Sequence, residues 1–310
     1  MRLIENPFKN LVSATGQGQI HHLCYRPEEE AKAVILLIHG MCEHQGRYRE
    51  FAEFLTGYNF IVYSLDLPGH GKTAKKEDLG FFAKKAGYQK VIKDVDRYIE
   101  LISLEHPDLP FILFGHSMGS MIARYYLINR PKLPHAVIFC GTVGPNFMSY
   151  FGLIFAMFCA FLLGPTSQGK LQNYLLQKAM KNKEFYDKAV RKYNWISRNK
   201  ESFYSYINDP DRSFVFTHSA YRDLFTWYLA ITKRNWSKSI ATELPILMIS
   251  GDRDPVGGFG KGVRKTYEQL QDTGHDVTLK LYPGARHELL HEINKDEVFA
   301  DILNWMEAKL

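Results

Sequence analysis

The sequence predicts an α/β fold in which a mostly parallel sheet is covered by helices on both faces and is interrupted by one long insertion. Strand-like apolar runs alternate with helix-like amphipathic segments along the 310 residues. Two of these strands are separated by about a hundred residues, far more than a crossover helix needs. An apolar content of 45% is sufficient for one large core. Together these observations favour a single α/β unit with an inserted segment.

The predicted elements follow from this alternation. The strands are expected at 34–38, 60–65, 111–114, 136–140, 246–250 and 277–282. The helices are expected at 88–105, 121–129, 263–271 and 296–306. The long gap predicts a helical cap at 145–240, inserted between the first part of the core at 1–144 and the second part at 241–310.

A Gly-x-Ser-x-Gly pentapeptide centred on Ser117 stands between the strand at 111–114 and a helix-like segment. This context indicates a nucleophile elbow, a turn too tight for side chains at the two flanking positions. Such a turn holds the serine in a strained conformation that exposes its hydroxyl group. Ser117 is therefore the candidate nucleophile.

A serine hydroxyl needs a histidine to take its proton and a carboxylate to orient that histidine. The turn after the strand at 246–250 carries Asp252 and Asp254, and spacing alone leaves both open as the acid. His287 and His291 follow the last strand. His287 is preferred as the base because it comes directly after the strand, at the sheet edge where parallel sheets present their ligand sites.

The chain resembles α/β-hydrolases of the monoacylglycerol lipase and lysophospholipase group, which includes serine aminopeptidase-like sequences. The motifs that carry the resemblance are at 39–48, 66–71, 115–119, 251–256 and 285–288. The resemblance implies an α/β-hydrolase fold, and it places the acid three residues after Gly251, at Asp254. Asp252 is then expected to cap the turn.

A negative oxygen develops on the substrate during attack on an ester, and it needs fixed hydrogen-bond donors. The amide of Met118, the residue after the nucleophile, is one expected donor. The resemblance assigns the second to the amide of Met41, in the loop after the strand at 34–38. This chemistry implies no cofactor and no metal. His39, Cys42 and His44 also lack the paired spacing of structural zinc sites.

The charge distribution disfavours a nucleic-acid partner. The 39 basic and 33 acidic residues give a net charge of +6, and they lie in mixed-sign segments rather than in one basic stripe. The four cysteines show no paired spacing and are expected to be reduced thiols. Residues 1–10 lack the apolar stretch of a secretory signal, so the expected location is cytoplasmic, with membrane association left open.

The predicted cap contains a nearly uncharged apolar run at 147–163. A bilayer-spanning helix usually needs about twenty apolar residues. A span here would also place the two halves of one sheet on opposite sides of a membrane. Three interpretations remain open: plain packing, lining of an acyl-chain tunnel, and peripheral contact with a membrane surface. The remaining aromatic segments of the cap, at 193–198 and 214–225, can pack the cap or line a channel.

We therefore predict a serine esterase that cleaves a lipid ester such as a monoacylglycerol or a lysophospholipid. In this hypothesis Ser117 attacks, His287 moves the proton, Asp254 orients His287, and water hydrolyses the resulting acyl-enzyme. The alternatives are a peptidase or thioesterase of the same fold, and a ligand-binding receptor that has lost turnover. Oligomeric state, acyl length and head group do not follow from the sequence.

Overall fold

The computed structural model describes residues 1–129, 134–180, 195–212 and 214–310. These residues form an eight-stranded sheet with helices packed on both faces. The strands are β1 Arg2–Glu5, β2 His22–Arg26, β3 Ala33–Ile38, β4 Phe60–Leu65, β5 Phe111–His116, β6 Ala136–Cys140, β7 Ile246–Gly251 and β8 Val277–Tyr282. The helices are α1 Arg49–Gly57, α2 Gly87–Glu105, α3 Met118–Asn129, α4 Met148–Leu162, α5 Lys170–Met180, α6 Lys200–Asn208, α7 His218–Thr232, α8 Lys261–Gln271 and α9 Lys295–Glu307.

The strand order across the sheet is β1-β2-β4-β3-β5-β6-β7-β8. Strands β3 to β8 are parallel, whereas β2 is antiparallel to both of its neighbours. In the centre of the sheet, Phe114 of β5 pairs with Leu37 of β3 and with Ile138 of β6. The loops after β3, β5, β7 and β8 therefore emerge at one edge, where an open parallel sheet presents its ligand site.

The strands from β3 to β7 are buried along their whole length because helices cover both faces. Val95 of α2 and Ile122 of α3 belong to the core on one face. Phe51 of α1 and Ile302 of α9 belong to the core on the other. This architecture confirms the predicted fold class.

Some elements differ from their predicted bounds. Strands β1 and β2 and helix α1 do not appear in the prediction. β1 has four residues, mostly exposed, at the edge of the sheet, so it lacks the apolar run that marks a buried strand. Helix α3 begins at Met118 rather than at position 121, because the serine turn leads directly into it.

The chain between β6 and β7 holds helices α4 to α7. Helix α7 packs against α4, and also against α2 and α3 of the core. Residues 193 and 194 of the predicted aromatic segment lie outside the described residues. Within the described ranges, no helix has both the length and the apolar character needed to cross a membrane. Cys24, Cys42, Cys140 and Cys159 are free thiols.

Candidate active site

Ser117 occupies the turn between β5 and α3 with a φ of 52°. This left-handed conformation is rare for a residue with a side chain and is a form of backbone strain found at functional sites. A Cβ atom at Gly115 would lie 2.4 Å from the carbonyl oxygen of Gly119, and one at Gly119 would lie 2.1 Å from that of Ile38. Because both contacts are with backbone, the turn requires glycine at both positions. The serine itself remains partly exposed.

The hydroxyl of Ser117 lies in a chain of hydrogen bonds with His287 and Asp254. Ser117 Oγ is 2.9 Å from His287 Nε2, and His287 Nδ1 is 2.9 Å from Asp254 Oδ2. The other carboxylate oxygen, Oδ1, accepts a hydrogen bond from the amide of Val256 at 2.8 Å. Since the carboxylate accepts from Nδ1, the lone pair of the neutral imidazole is at Nε2, facing the serine. The structure thus brings together the three side chains that the sequence singles out.

Two opposing influences set the pKa of His287. Burial of the imidazole lowers it, but the charge of Asp254 and the hydrogen bond to that carboxylate outweigh burial, so the pKa is raised above 6.5. A histidine with a raised pKa holds a proton more readily once it has received one from the serine. It also loses its acceptor lone pair when the pH falls below that pKa.

The two alternative residues are engaged elsewhere. Asp252 Oδ1 accepts a hydrogen bond from the amide of Gly284 at 2.7 Å, as expected of a turn-capping carboxylate. His291 Nε2 is paired with the carbonyl oxygen of Arg47 at 3.0 Å. Burial lowers the pKa of His291 to about 4, so its imidazole is neutral near pH 7. These hydrogen bonds place Asp254 and His287, rather than Asp252 and His291, beside Ser117.

A buried ionic network lies behind His287. Arg47 makes two hydrogen bonds to Glu288, at 2.8 and 2.7 Å, and a third to Glu43 at 2.8 Å. Burial alone raises the pKa of Glu288, but the charge of Arg47 outweighs it and lowers the pKa to about 2. Glu43 also lies 3.1 Å from Nδ1 of His116, the residue before Ser117. No sequence pattern predicts the pairing of Arg47 with Glu288, which are 241 positions apart, although the two residues lie inside the motifs at 39–48 and 285–288.

Residues 39–42, here called the Gly40 loop, follow β3 and pass beside the serine. A Cβ atom at Gly40 would lie 3.1 Å from Ser117 Cβ. Within the described part of the chain, the amides of Met41 and Met118 donate to no other protein group. The Met118 amide is the first of helix α3, where backbone N–H groups are unpaired and the helix dipole favours negative charge. Both predicted donors are thus free to bind an anionic oxygen.

The two histidines considered for zinc, His39 and His44, have protein partners. His39 Nε2 accepts from the amide of Leu67 at 3.0 Å, and its Nδ1 is 2.8 Å from the carbonyl oxygen of Gly40. His44 Nε2 forms a hydrogen bond with Asp209 Oδ2 at 2.8 Å.

The chain between β6 and β7, here called the inserted segment, also contacts His287 directly. The ring centroids of Trp195 and His287 are 5.3 Å apart. The amides of His287 and Glu288 donate to the carbonyl oxygens of Trp195 and Ile196, at 3.4 and 2.8 Å. The chain between β6 and β7 therefore forms one wall beside the imidazole.

Known proteins resemble the chain over nearly its whole length. It is 25% identical to a monoglyceride lipase from Mus musculus, with 97% of this chain and 90% of that protein covered. It is 26% identical to a monoacylglycerol lipase from Mycolicibacterium smegmatis, with 96% of each covered. Among solved structures, a thermostable carboxyl esterase from Bacillus coagulans is 29% identical, covers 99% of both chains and superposes with a TM-score of 0.89.

A family model described as serine aminopeptidase, S33, matches residues 29–294. The matched range includes the serine turn, the Gly40 loop and the turns that carry Asp254 and His287. The resemblance predicted from the motifs is thereby confirmed. Because the match extends over most of its length, the chain belongs to the serine aminopeptidase S33 family and has the α/β-hydrolase fold.

Proposed function

We propose that this carboxylic ester hydrolase cleaves lipid esters with one acyl chain, such as monoacylglycerols or lysophospholipids, through an acyl-enzyme at Ser117. The observation that carries the proposal is the chain of hydrogen bonds from Ser117 through His287 to Asp254, beside two free backbone amides. The relatives named monoglyceride lipase and monoacylglycerol lipase support the same class of substrate.

The proposed reaction follows from the geometry. Ser117 Oγ attacks the ester carbonyl carbon while His287 Nε2 accepts the hydroxyl proton. The negative oxygen of the tetrahedral intermediate accepts hydrogen bonds from the amides of Met41 and Met118. As the intermediate collapses, the leaving alcohol takes the proton from His287. Water, activated by the same imidazole, then attacks the acyl-enzyme, and the acid is released with Ser117 restored.

The apolar surface of the inserted segment supports a lipid substrate. Helix α4 carries no charged residue and buries few of its side chains. Ten large apolar side chains on this helix or next to it are more than a third exposed: Phe147, Met148, Tyr150, Phe151, Ile154, Met157, Phe158, Phe161, Leu162 and Leu163. Helix α5 exposes three more large apolar side chains, Leu171, Tyr174 and Leu175. Monomeric proteins rarely expose a contiguous apolar patch of this kind unless it binds something.

We therefore propose that residues 145–240 form a cap over the site, between core parts at 1–144 and 241–310, and that the apolar surface touches lipid aggregates. In such a contact the side chains of α4 enter the interface while the helix lies along it. An ester could then pass from the aggregate to Ser117 without leaving an apolar environment.

A substrate panel tests the proposed function. We expect kcat/KM to be higher for monoacylglycerols and lysophospholipids than for aminoacyl anilides, by about tenfold or more, because the apolar cap favours a long acyl chain. Long-chain acyl-CoA carries the same acyl chain on a thiol, so a preference for acyl-CoA over the two lipid esters would replace the proposal with a thioesterase function. Short p-nitrophenyl esters provide a measure of the chemistry without chain recognition. Preference for aminoacyl anilides would replace the proposal with a peptidase function, which the family description also allows. Tight binding of lipid without release of acid would favour a receptor.

The proposed membrane contact predicts that vesicle binding can be lost while turnover of a water-soluble ester is kept. The double variant Phe158→Asp, Phe161→Asp should bind phosphatidylcholine and phosphatidylglycerol vesicles with an affinity lower by roughly tenfold or more, since each exposed ring contributes about 1.5–3 kcal/mol when it is buried. Co-sedimentation with the vesicles measures this affinity. Turnover of a water-soluble ester should be unchanged. Leu104→Asp is the matched control, because Leu104 is 78% exposed on a core helix. Equal vesicle binding by the double variant and the wild type would exclude this surface.

A further inference from the structure

The Gly40 loop has a conformation that needs external support. Cys42 has a φ of 54°, in the left-handed region, which costs of order 1 kcal/mol for a residue with a side chain. The core holds two of the peptide groups next to the Met41 amide. The Gly40 amide donates to Glu43 Oε1, and the Cys42 amide donates to His70 Nε2 at 3.2 Å. Burial lowers the pKa of His70 to about 3, so its ring is a neutral acceptor at physiological pH.

The next peptide group is held by the inserted segment rather than by the core. Arg212 Nε donates to the carbonyl oxygen of Cys42 at 3.1 Å. Arg212 ends the short helical turn Pro210–Arg212 between α6 and α7, and its side chain is 8% exposed. Its guanidinium group lies over the ring of Tyr206 and donates to the carbonyl oxygen of that residue at 3.4 Å. This support fixes the arginine in one direction.

A second contact joins the same two regions. His44, two residues beyond the Gly40 loop, pairs through Nε2 with Asp209 Oδ2 at 2.8 Å. Residues 209–212 therefore form hydrogen bonds with Cys42 and with His44. Movement of this part of the inserted segment cannot leave the loop unchanged, because both contacts are direct.

We propose that Arg212 is a positioning residue for the oxyanion-binding amide of Met41, so that ester hydrolysis depends on the placement of the inserted segment. The inference rests on the proposed function, since it assigns Met41 a role in the reaction. Arg212 itself touches no reacting atom. It fixes the Cys42 carbonyl, in the peptide group after the one that His70 holds, and so restricts rotation of the loop that carries the Met41 amide. A misplacement of about 1 Å in a catalytic donor can lower a rate about a hundredfold.

The test compares Arg212→Met and Arg212→Lys with the wild-type protein. For a water-soluble p-nitrophenyl ester we expect kcat to fall between about tenfold and about a hundredfold in Arg212→Met, with KM within about threefold. Arg212→Lys keeps a charged donor and should recover part of the loss. Arg234→Met is the matched control, because Arg234 is an exposed arginine of the same inserted segment.

A second readout does not depend on catalysis. In protein labelled with 15N at methionine, which has nine methionines in the wild type and one more in Arg212→Met, the amide signals of Met41 and Met118 can be assigned with single substitutions. Arg212→Met should shift the Met41 signal and leave that of Met118, which lies in a core helix, in place. If the Met41 signal is unchanged in Arg212→Met, or if it shifts while kcat stays at the wild-type value, the proposed role of Arg212 is wrong. The proposed function would still stand in both cases, provided that the wild-type protein hydrolyses the ester. A wild-type protein inactive on every ester would remove both.

Discussion

The variant Ser117→Ala is expected to lose ester turnover by roughly a thousandfold or more and to resist labelling by a fluorophosphonate probe. The loss is large because the acyl-enzyme needs the serine oxygen, and no other hydroxyl is hydrogen-bonded to His287 within the described ranges. Substrate binding should change little, since the removed group is small and partly exposed. Release of acid from the water-soluble ester and mass spectrometry of the labelled protein measure the two effects.

Ser167→Ala is a suitable control, because that serine is exposed on the inserted segment and its hydroxyl donates to a backbone carbonyl. It should keep both turnover and labelling. Undiminished labelling of Ser117→Ala would show that another residue is the nucleophile. Turnover that persists without labelling would indicate a mechanism with no covalent intermediate.

The central strands and the serine turn could be predicted from the sequence because their signals are local. A strand buried on both faces is a continuous apolar run, and β3 to β7 all show it. The serine turn can be predicted from its two glycines, because a Cβ atom at either position would clash with neighbouring backbone atoms. β1 and β2 escaped prediction because β1 is mostly exposed and β2 begins with His22 and ends with Arg26 instead of forming a continuous apolar run.

The contacts that support the site could not be predicted in the same way. The bonds of Arg47 to Glu288 and of Arg212 to Cys42 join residues 241 and 170 positions apart. Which charges meet in a folded core depends on the packing of whole elements, and periodicity carries no information about it. The choice of Asp254 over Asp252 could be predicted only with the help of the family resemblance, since spacing alone leaves both carboxylates open.

The acid can be tested by making the same chemical change at two positions. Asp254→Asn should lower kcat by about three to four orders of magnitude. The amide oxygen of the new residue is expected to stay with the amide of Val256, which donates to Asp254 Oδ1 at 2.8 Å. Its NH₂ group would then face His287 Nδ1, where an acceptor stands now. His287 would be forced into the tautomer that carries its proton on Nε2, and it could no longer accept from Ser117.

Asp252→Asn should change kcat by no more than a few-fold, because an amide oxygen can replace the carboxylate as the acceptor for the Gly284 amide. The pH dependence of kcat/KM gives a second measure. In the wild type, activity should rise with pH through a pKa above 6.5, since the Asp254 charge outweighs burial and raises the pKa of His287. In Asp254→Asn the largest influence that raises the pKa of His287 is lost, while burial and the weaker raising effects of Glu288 and Glu43 remain, so the midpoint should fall. In Asp252→Asn the midpoint should stay. The reverse pattern in kcat and midpoint would assign the acid to Asp252.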